Sequence, residues 1–174
     1  MLKNCTAYRI LQMFFDSPTR RFQLREISRK ARLGLPSVRN HVRMLEREGF
    51  VKRNTEGTYP CYTASGSDRF RLYRRNDAII RLHESGLLEF LADEFVPDAI
   101  VLFGSVSRGE DIETSDIDLF LVAREKEVDL KKFEDKLKRK ISLHFGERPS
   151  RLPNELLNNI INGIVVYGYL GVFA

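Results

Sequence analysis

The sequence predicts an α+β chain of two domains: a helical domain closed by a two-stranded hairpin, then an α/β domain on a short mixed sheet. Three observations carry that expectation. Residues 1–75 hold 17 Lys and Arg against 6 Asp and Glu, and the remainder holds 12 against 18, so a basic module joins an acidic one. Apolar residues recur at helical spacing through the first half. Beyond residue 98, short apolar runs alternate with amphipathic stretches, as in strands interleaved with helices. The expected domains are 1–66 and 96–174, with a helical linker over 67–95.

Length and composition bound the rest. A chain of 174 residues holds one sizeable domain or two small ones, and 43% hydrophobic content fits a globular protein. No stretch approaches the roughly 20 apolar residues of a membrane helix, so no membrane partner is expected. The opening MLKNCTAYRILQMFFDSPTR is broken by polar residues and makes a poor signal peptide. Cys5 and Cys61 stand apart without metal-ligand neighbours, which predicts free thiols and a cytoplasmic location.

The first helix carries Ala7, Ile10, Leu11, Phe14 and Phe15 and stops near Ser17-Pro18, because a residue before proline avoids helical geometry. A second helix is expected over Arg25–Ala31, with Ile27 and Ala31 inward. Arg32-Leu33-Gly34 makes a turn in which glycine supplies the special backbone. Pro36 suits the first turn of a third helix, which runs to about Glu48 and is ended by Gly49. Val38, Val42 and Leu45 form its apolar stripe. The opposite side then presents Arg39, Asn40, Arg43 and Arg47, with Ser37 and Pro36 at its start. Arginine and asparagine match guanine and adenine edges in a major groove. The stretch FVKRNTEGTYPCYTA reads as a hairpin turning at Glu56-Gly57, with Lys52 and Arg53 placed to meet phosphates.

The order of these parts, and the stretch SVRNHVRMLEREGFV from Ser37 to Val51, resembles the winged helix–turn–helix domains of prokaryotic transcription regulators over residues 1–66. The resemblance implies a double-stranded DNA partner, with Ser37, Arg39, Asn40, Arg43, Arg47, Lys52 and Arg53 as the DNA-contacting set. Leu35 departs from the capping Ser, Thr or Asp expected there.

Residues 67–95 read as helical, with Ser67 as a cap and Gly86 as a break. Ile79, Leu82 and Gly86 share one stripe, and Leu87, Leu88 and Leu91 begin another. Helices that follow winged domains often pair, so a homodimer is expected. His83 in this stretch is read as a surface or structural residue.

In the acidic half, Ala99–Phe103 suits a buried strand, followed at once by Gly104-Ser105 and a polar loop carrying Arg108-Gly109. Ile117–Val122 is the next strand, entered by Ser115-Asp116. A helix is expected over Lys126–Lys140, a strand over Ile141–Phe145, a helix over Asn154–Asn162 and a last apolar segment over Ile164–Leu170. Residues two apart on a strand share a face, so Asp116 and Asp118 point together. That arrangement is costly unless a cation lies between them. Two hard carboxylates suit Mg²⁺, which keeps waters for exchange with substrate phosphates. A glycine-serine turn offers backbone N–H groups to a triphosphate.

The run GSVSRGEDIETSDIDL, residues 104–119, is similar to the signature of the nucleotidyltransferase superfamily typified by DNA polymerase β. Within it, residues 76–174 resemble the minimal nucleotidyltransferases of archaea and bacteria. The resemblance implies that Gly104 and Ser105 hold nucleoside triphosphate while Asp116 and Asp118 hold up to two Mg²⁺ ions as the catalytic pair. Arg108 and Ser115 join the nucleotide-binding set, Arg108 by contacting the γ-phosphate or steadying the loop. One departure matters. The third carboxylate of active members belongs on the strand reading ISLHF, where Ser142 or His144 stands instead and Glu147 lies just past the end.

Three readings of the whole follow. The preferred one is a DNA-binding transcription regulator whose C-terminal nucleotidyltransferase-like domain binds Mg-nucleotide, with weak or no nucleotidyl transfer expected in the absence of the third carboxylate. The second is an active minimal nucleotidyltransferase acting as an antitoxin on a partner toxin protein. The third is a repressor with a degenerate, purely structural C-terminal domain.

Overall fold

The structure is a computed structural model that describes residues 5–172. The chain divides into two compact units, 1–72 and 73–174.

In the first unit, three helices, α1 (Thr6–Asp16), α2 (Leu24–Ala31) and α3 (Leu35–Arg47), precede strands β1 (Val51–Asn54) and β2 (Cys61–Ala64). The apolar stripe of each helix meets in one core. Ile10, Phe14, Ile27, Val38 and Val42 are all fully buried there. The hairpin is antiparallel, with Val51 opposite Ala64 and Asn54 opposite Cys61. Phe22 and Tyr62 exchange two backbone hydrogen bonds of 2.8 Å, which ties the α1–α2 connection to the hairpin. Edge-on contact of Phe14 with Phe22, 5.2 Å between centroids, closes the core at that point.

The α2–α3 turn differs from the expectation in one respect. Arg32, not Gly34, takes the left-handed conformation, at φ 54°. Its N–H bonds the Arg29 carbonyl at 3.3 Å and the Leu33 N–H bonds the Ser28 carbonyl at 3.1 Å. That ending of a helix needs a left-handed residue just past it. Gly34 is extended (φ −61°, ψ 141°) and is the N-cap of α3, so Leu35 is already helical and no capping side chain belongs there. Gly49, at φ 78°, ends α3 as expected.

The division between the units falls within α4 (Asp68–Ser85). Ser67 caps it, its Oγ accepting from the Phe70 N–H at 3.2 Å. Gly86, at φ 79°, breaks the helix before α5 (Leu87–Phe95). The segment expected as a helical linker is therefore these two helices.

The second unit is a mixed four-stranded sheet in the order β5-β4-β3-β6. Its strands are β3 (Ala99–Phe103), β4 (Ile117–Leu121), β5 (Ile141–Phe145) and β6 (Ile164–Gly168), with short helices α6 (Gly104–Arg108), α7 (Lys131–Leu137) and α8 (Asn154–Ile161) between them. β3 pairs antiparallel with β4 and β6, and β4 runs parallel to β5. Ile100, Leu102, Ile117, Leu119 and Leu121 pack on one face with Leu82, Leu87, Leu91 and Phe133. Val101, Phe103, Phe120 and Val122 pack on the other with Ile160 of α8. That second face is the one on which Asp118 lies, two residues before Phe120.

Two elements fall short of expectation. The helix expected over 126–140 spans only Lys131–Leu137, because the Asp129 carboxylate accepts from the Lys131 N–H at 2.9 Å and Lys138 turns left-handed at φ 56°. The residues after Gly104, expected as a loop, coil into α6. Among the described residues no helix is long and apolar enough to cross a membrane, and Cys5 and Cys61 are free thiols.

Phe120 is fully buried beneath the acidic site. Phe120→Ala should lower the stability of the second unit by about 3–5 kcal/mol through lost burial and the cavity left behind. Thermal unfolding followed by circular dichroism checks this, and an unchanged transition would contradict the packing described.

Candidate functional site

The geometry of the acidic site starts from strand pairing. Phe103, the last residue of β3, is paired with Asp118 of β4, which brings the next residue, Gly104, against the Asp118 side chain. A Cβ on Gly104 would lie 3.3 Å from Asp118 Cγ and would overlap Oδ2. Gly104 also sits at φ 73°, where a side chain is strained. Glycine is thus required twice over. It clears the carboxylate and lets the backbone double back into α6.

Parallel pairing supplies the third side of the site. Asp118 is opposite Ser142 of β5, and Phe120 is opposite His144. Ser142 and His144 therefore share the face of Asp118. His144 Nε2 lies 3.8 Å from Asp118 Oδ1, and its ring meets Phe103 edge-on at 5.1 Å. Ser142 Oγ donates to Asp116 Oδ2 at 3.4 Å. Glu147 instead pairs with Arg124 at 2.7 Å on the exposed surface. The β5 positions facing the two aspartates are a hydroxyl and an imidazole.

Burial pushes the Asp118 carboxyl above the ordinary carboxylate range. His144 pulls it down, and the charge of Asp116 pushes it up again. Among the described residues no arginine or lysine is paired with either aspartate. The basic group beside Asp118 is thus the His144 imidazole.

A buried network holds the loop that delivers Asp116. Asp111, 6% exposed, takes Arg74 Nη2 and Arg139 Nη1 on the same oxygen, each at 2.8 Å. Arg74 also donates to the Asp111 carbonyl, and Arg139 donates to the Ser115 carbonyl at 3.2 Å. Ser115 Oγ accepts from the Ile112 N–H at 2.9 Å. The hydroxyl of Ser115 thus helps close the loop. Arg108 Nε bonds Glu110 Oε2 at 2.9 Å near the surface, and Ser105 is half-buried in the first turn of α6. Arg74, Asp111 and Arg139 carried no sequence signal, since they meet only when residues 28 and more positions apart are folded together.

The donor set fits a hard divalent cation. Asp118 has a histidine but no arginine or lysine as its basic partner, Asp116 lies close enough to raise its carboxyl, and the side-chain-free Gly104 backbone lies directly against it. Among the described residues no three His, Cys, Asp or Glu side chains converge as a complete protein-only metal site. Water and phosphate oxygens would have to complete the shell, which is how Mg²⁺ is commonly held.

In the first unit, Arg39, Asn40, Arg43 and Arg47 are exposed on α3 opposite its buried stripe, and Ser37 is half-buried. Lys52 and Arg53 are both exposed on β1, but adjacent strand residues face opposite ways. Arg53 lines the same hollow as Arg39 and Arg43. Arg25 and Tyr59, absent from the sequence-derived set, line it too.

Residues 84–161 match the family model described as "Nucleotidyltransferase domain". The match runs from the end of α4 through α8 and contains Gly104, Asp116, Asp118 and His144. It supports a nucleotidyltransferase-like second unit. No curated protein and no solved structure matched the chain in the corresponding comparisons.

A raised carboxyl pKa in the folded state means that the folded chain binds more protons than the unfolded one between the ordinary and the raised value. Stability then falls as pH rises through that window. Asp118→Asn removes this cost. The variant should match the parent in Tm near about pH 4 and exceed it near about pH 7 in metal-free buffer. Equal Tm values at both pH values would show that Asp118 carries no such burden.

Proposed function

We propose that the second unit binds a nucleoside triphosphate with Mg²⁺, and that the first is a winged helix–turn–helix module docking on double-stranded DNA. The chain is then a DNA-binding regulator with a nucleotide-occupied domain. One observation carries the nucleotide reading: a side-chain-free Gly104 backbone against Asp118, with Asp116 beside it and no arginine or lysine paired with either.

The chain's own residues have separable tasks. Gly104 admits the phosphates to the carboxylates. Asp116 and Asp118 would hold the ion, which when bound supplies charge neutralisation for phosphate oxygens. Asp111, Arg74 and Arg139 fix the loop so that Asp116 arrives on the Asp118 side. Ser142 and His144 occupy the place of a third acid, so the reading is of nucleotide binding ahead of rapid transfer.

Gly104→Ala should turn Asp118 away, since a side-chain carboxylate yields more easily than backbone. Titration calorimetry with Mg-ATP should show binding in the parent and its loss in the variant, with the fold kept at a cost of about 1–2 kcal/mol. Mg-ATP binding unchanged in Gly104→Ala would sink the nucleotide reading. Regulation by occupancy predicts that affinity for a duplex selected from a random pool changes when Mg-ATP is added.

For the DNA face, Arg43→Ala should cost about 1–3 kcal/mol and relax sequence preference. Lys52→Ala should weaken binding to all sequences and flatten its salt dependence. Uniform loss from Arg43→Ala would make that residue a phosphate contact.

A further inference from the structure

Within the first unit, α2, α3 and the hairpin enclose a hollow of about 430 Å³. That is the size of a small-ligand site, about 300–1,000 Å³, and far more than a phosphate oxygen contact needs. Part of its wall is apolar, supplied by Leu24, Leu35 and Pro60. Tyr59 also lines it from the loop between β1 and β2, and is 66% exposed. An aromatic ring left in water beside an apolar hollow is a platform on which a base can stack.

The charge of the lining specifies the rest of the ligand. Arg25, Arg39, Arg43 and Arg53 all contribute to it, and among the described residues none has an ion-pair or ring partner. Unpaired guanidiniums converging on one concavity favour an anion, phosphate in particular, because their fork of donors matches its oxygens. Glu46 is the only acid on the lining. A carboxylate there opposes a bare polyphosphate but accepts from the amino group of a base.

We propose that this hollow takes one unpaired nucleotide of a DNA strand, its base against Tyr59 and the apolar wall and its phosphate on Arg39 and Arg53. The inference deepens the reading of the first unit as a DNA-docking module and rests on it. An intact duplex offers base edges and phosphates, whereas the apolar wall of Leu24, Leu35 and Pro60 suits the face of a base. A nucleotide turned out of the stack fills it.

The test uses the full chain and fluorescence anisotropy with two probes, a blunt duplex and the same duplex carrying one extra unpaired nucleotide. A deoxynucleoside monophosphate serves as competitor. The unpaired nucleotide should tighten binding about tenfold. Tyr59→Ala should abolish that gain and leave the blunt-duplex affinity intact, and the exposed position of Tyr59 spares the core. Lys52→Ala should weaken both probes alike. Equal affinity for the two duplexes, or a gain that survives Tyr59→Ala, overturns the proposal while leaving DNA docking in place. Failure of both duplexes to bind removes the docking reading as well. Tyr59-dependent binding of the monophosphate without any preference between the duplexes would make the ligand a free nucleotide, which also overturns the strand-borne assignment.

Discussion

The pairing of Phe103 with Asp118 is the constraint on which the acidic site depends. It brings the end of β3 level with the second aspartate of β4, so the chain leaving β3 must pass directly over a carboxylate. A residue without Cβ passes there without displacing that carboxylate, and the left-handed turn at Gly104 takes the backbone onward into α6. The same register sets Ser142 and His144 opposite, because β5 runs parallel to β4 and aligned residues of neighbouring strands share a face. One strand pairing thus decides what surrounds the two charges.

Holding the charges there costs free energy, and the surrounding structure offsets it. Asp118 is partly desolvated and faces Asp116, which raises its proton affinity. The loop leading to Asp116 is held by more than its own Ile112–Ser115 turn. Asp111, paired with Arg74 and Arg139, ties it to α4 and to the start of β5. A buried charge pair is weak evidence for net stability, but removal of one partner strands the other and costs about 3–5 kcal/mol. Such a network specifies geometry more than it adds stability, which suits a loop whose task is to present a carboxylate.

The first unit uses charge differently. Its core is apolar, and among the described residues Arg25, Arg39, Arg43 and Arg53 stand outside that core without acidic partners. Arg39 and Arg43 follow the α3 periodicity away from Val38 and Val42, so the helical stripe that builds the core also decides which cations face outward. The hairpin then adds Arg53 and Tyr59 to the same concavity. A polyanion neutralises such a face, whereas water alone leaves its charges mutually repelling.

Periodicity and turn chemistry were enough to place most elements from the chain alone. The stripes of α1 to α3, the breaks at Gly49 and Gly86, the apolar runs of β3 and β4 and the paired Asp116 and Asp118 are all local signals, set by residues within one or two turns of each other. Local signals failed where competing backbone choices lay close in energy, as with Arg32 in place of Gly34 and the shortened α7. What tertiary structure alone decided is long-range: Gly104 pressed on Asp118, His144 rather than Glu147 beside it, Asp111 between two arginines, and Tyr59 lining one hollow with four arginines. Each of these depends on strand register or on contacts across dozens of residues. A linear chain carries no local energetic record of which distant side chains will share a face once it is packed.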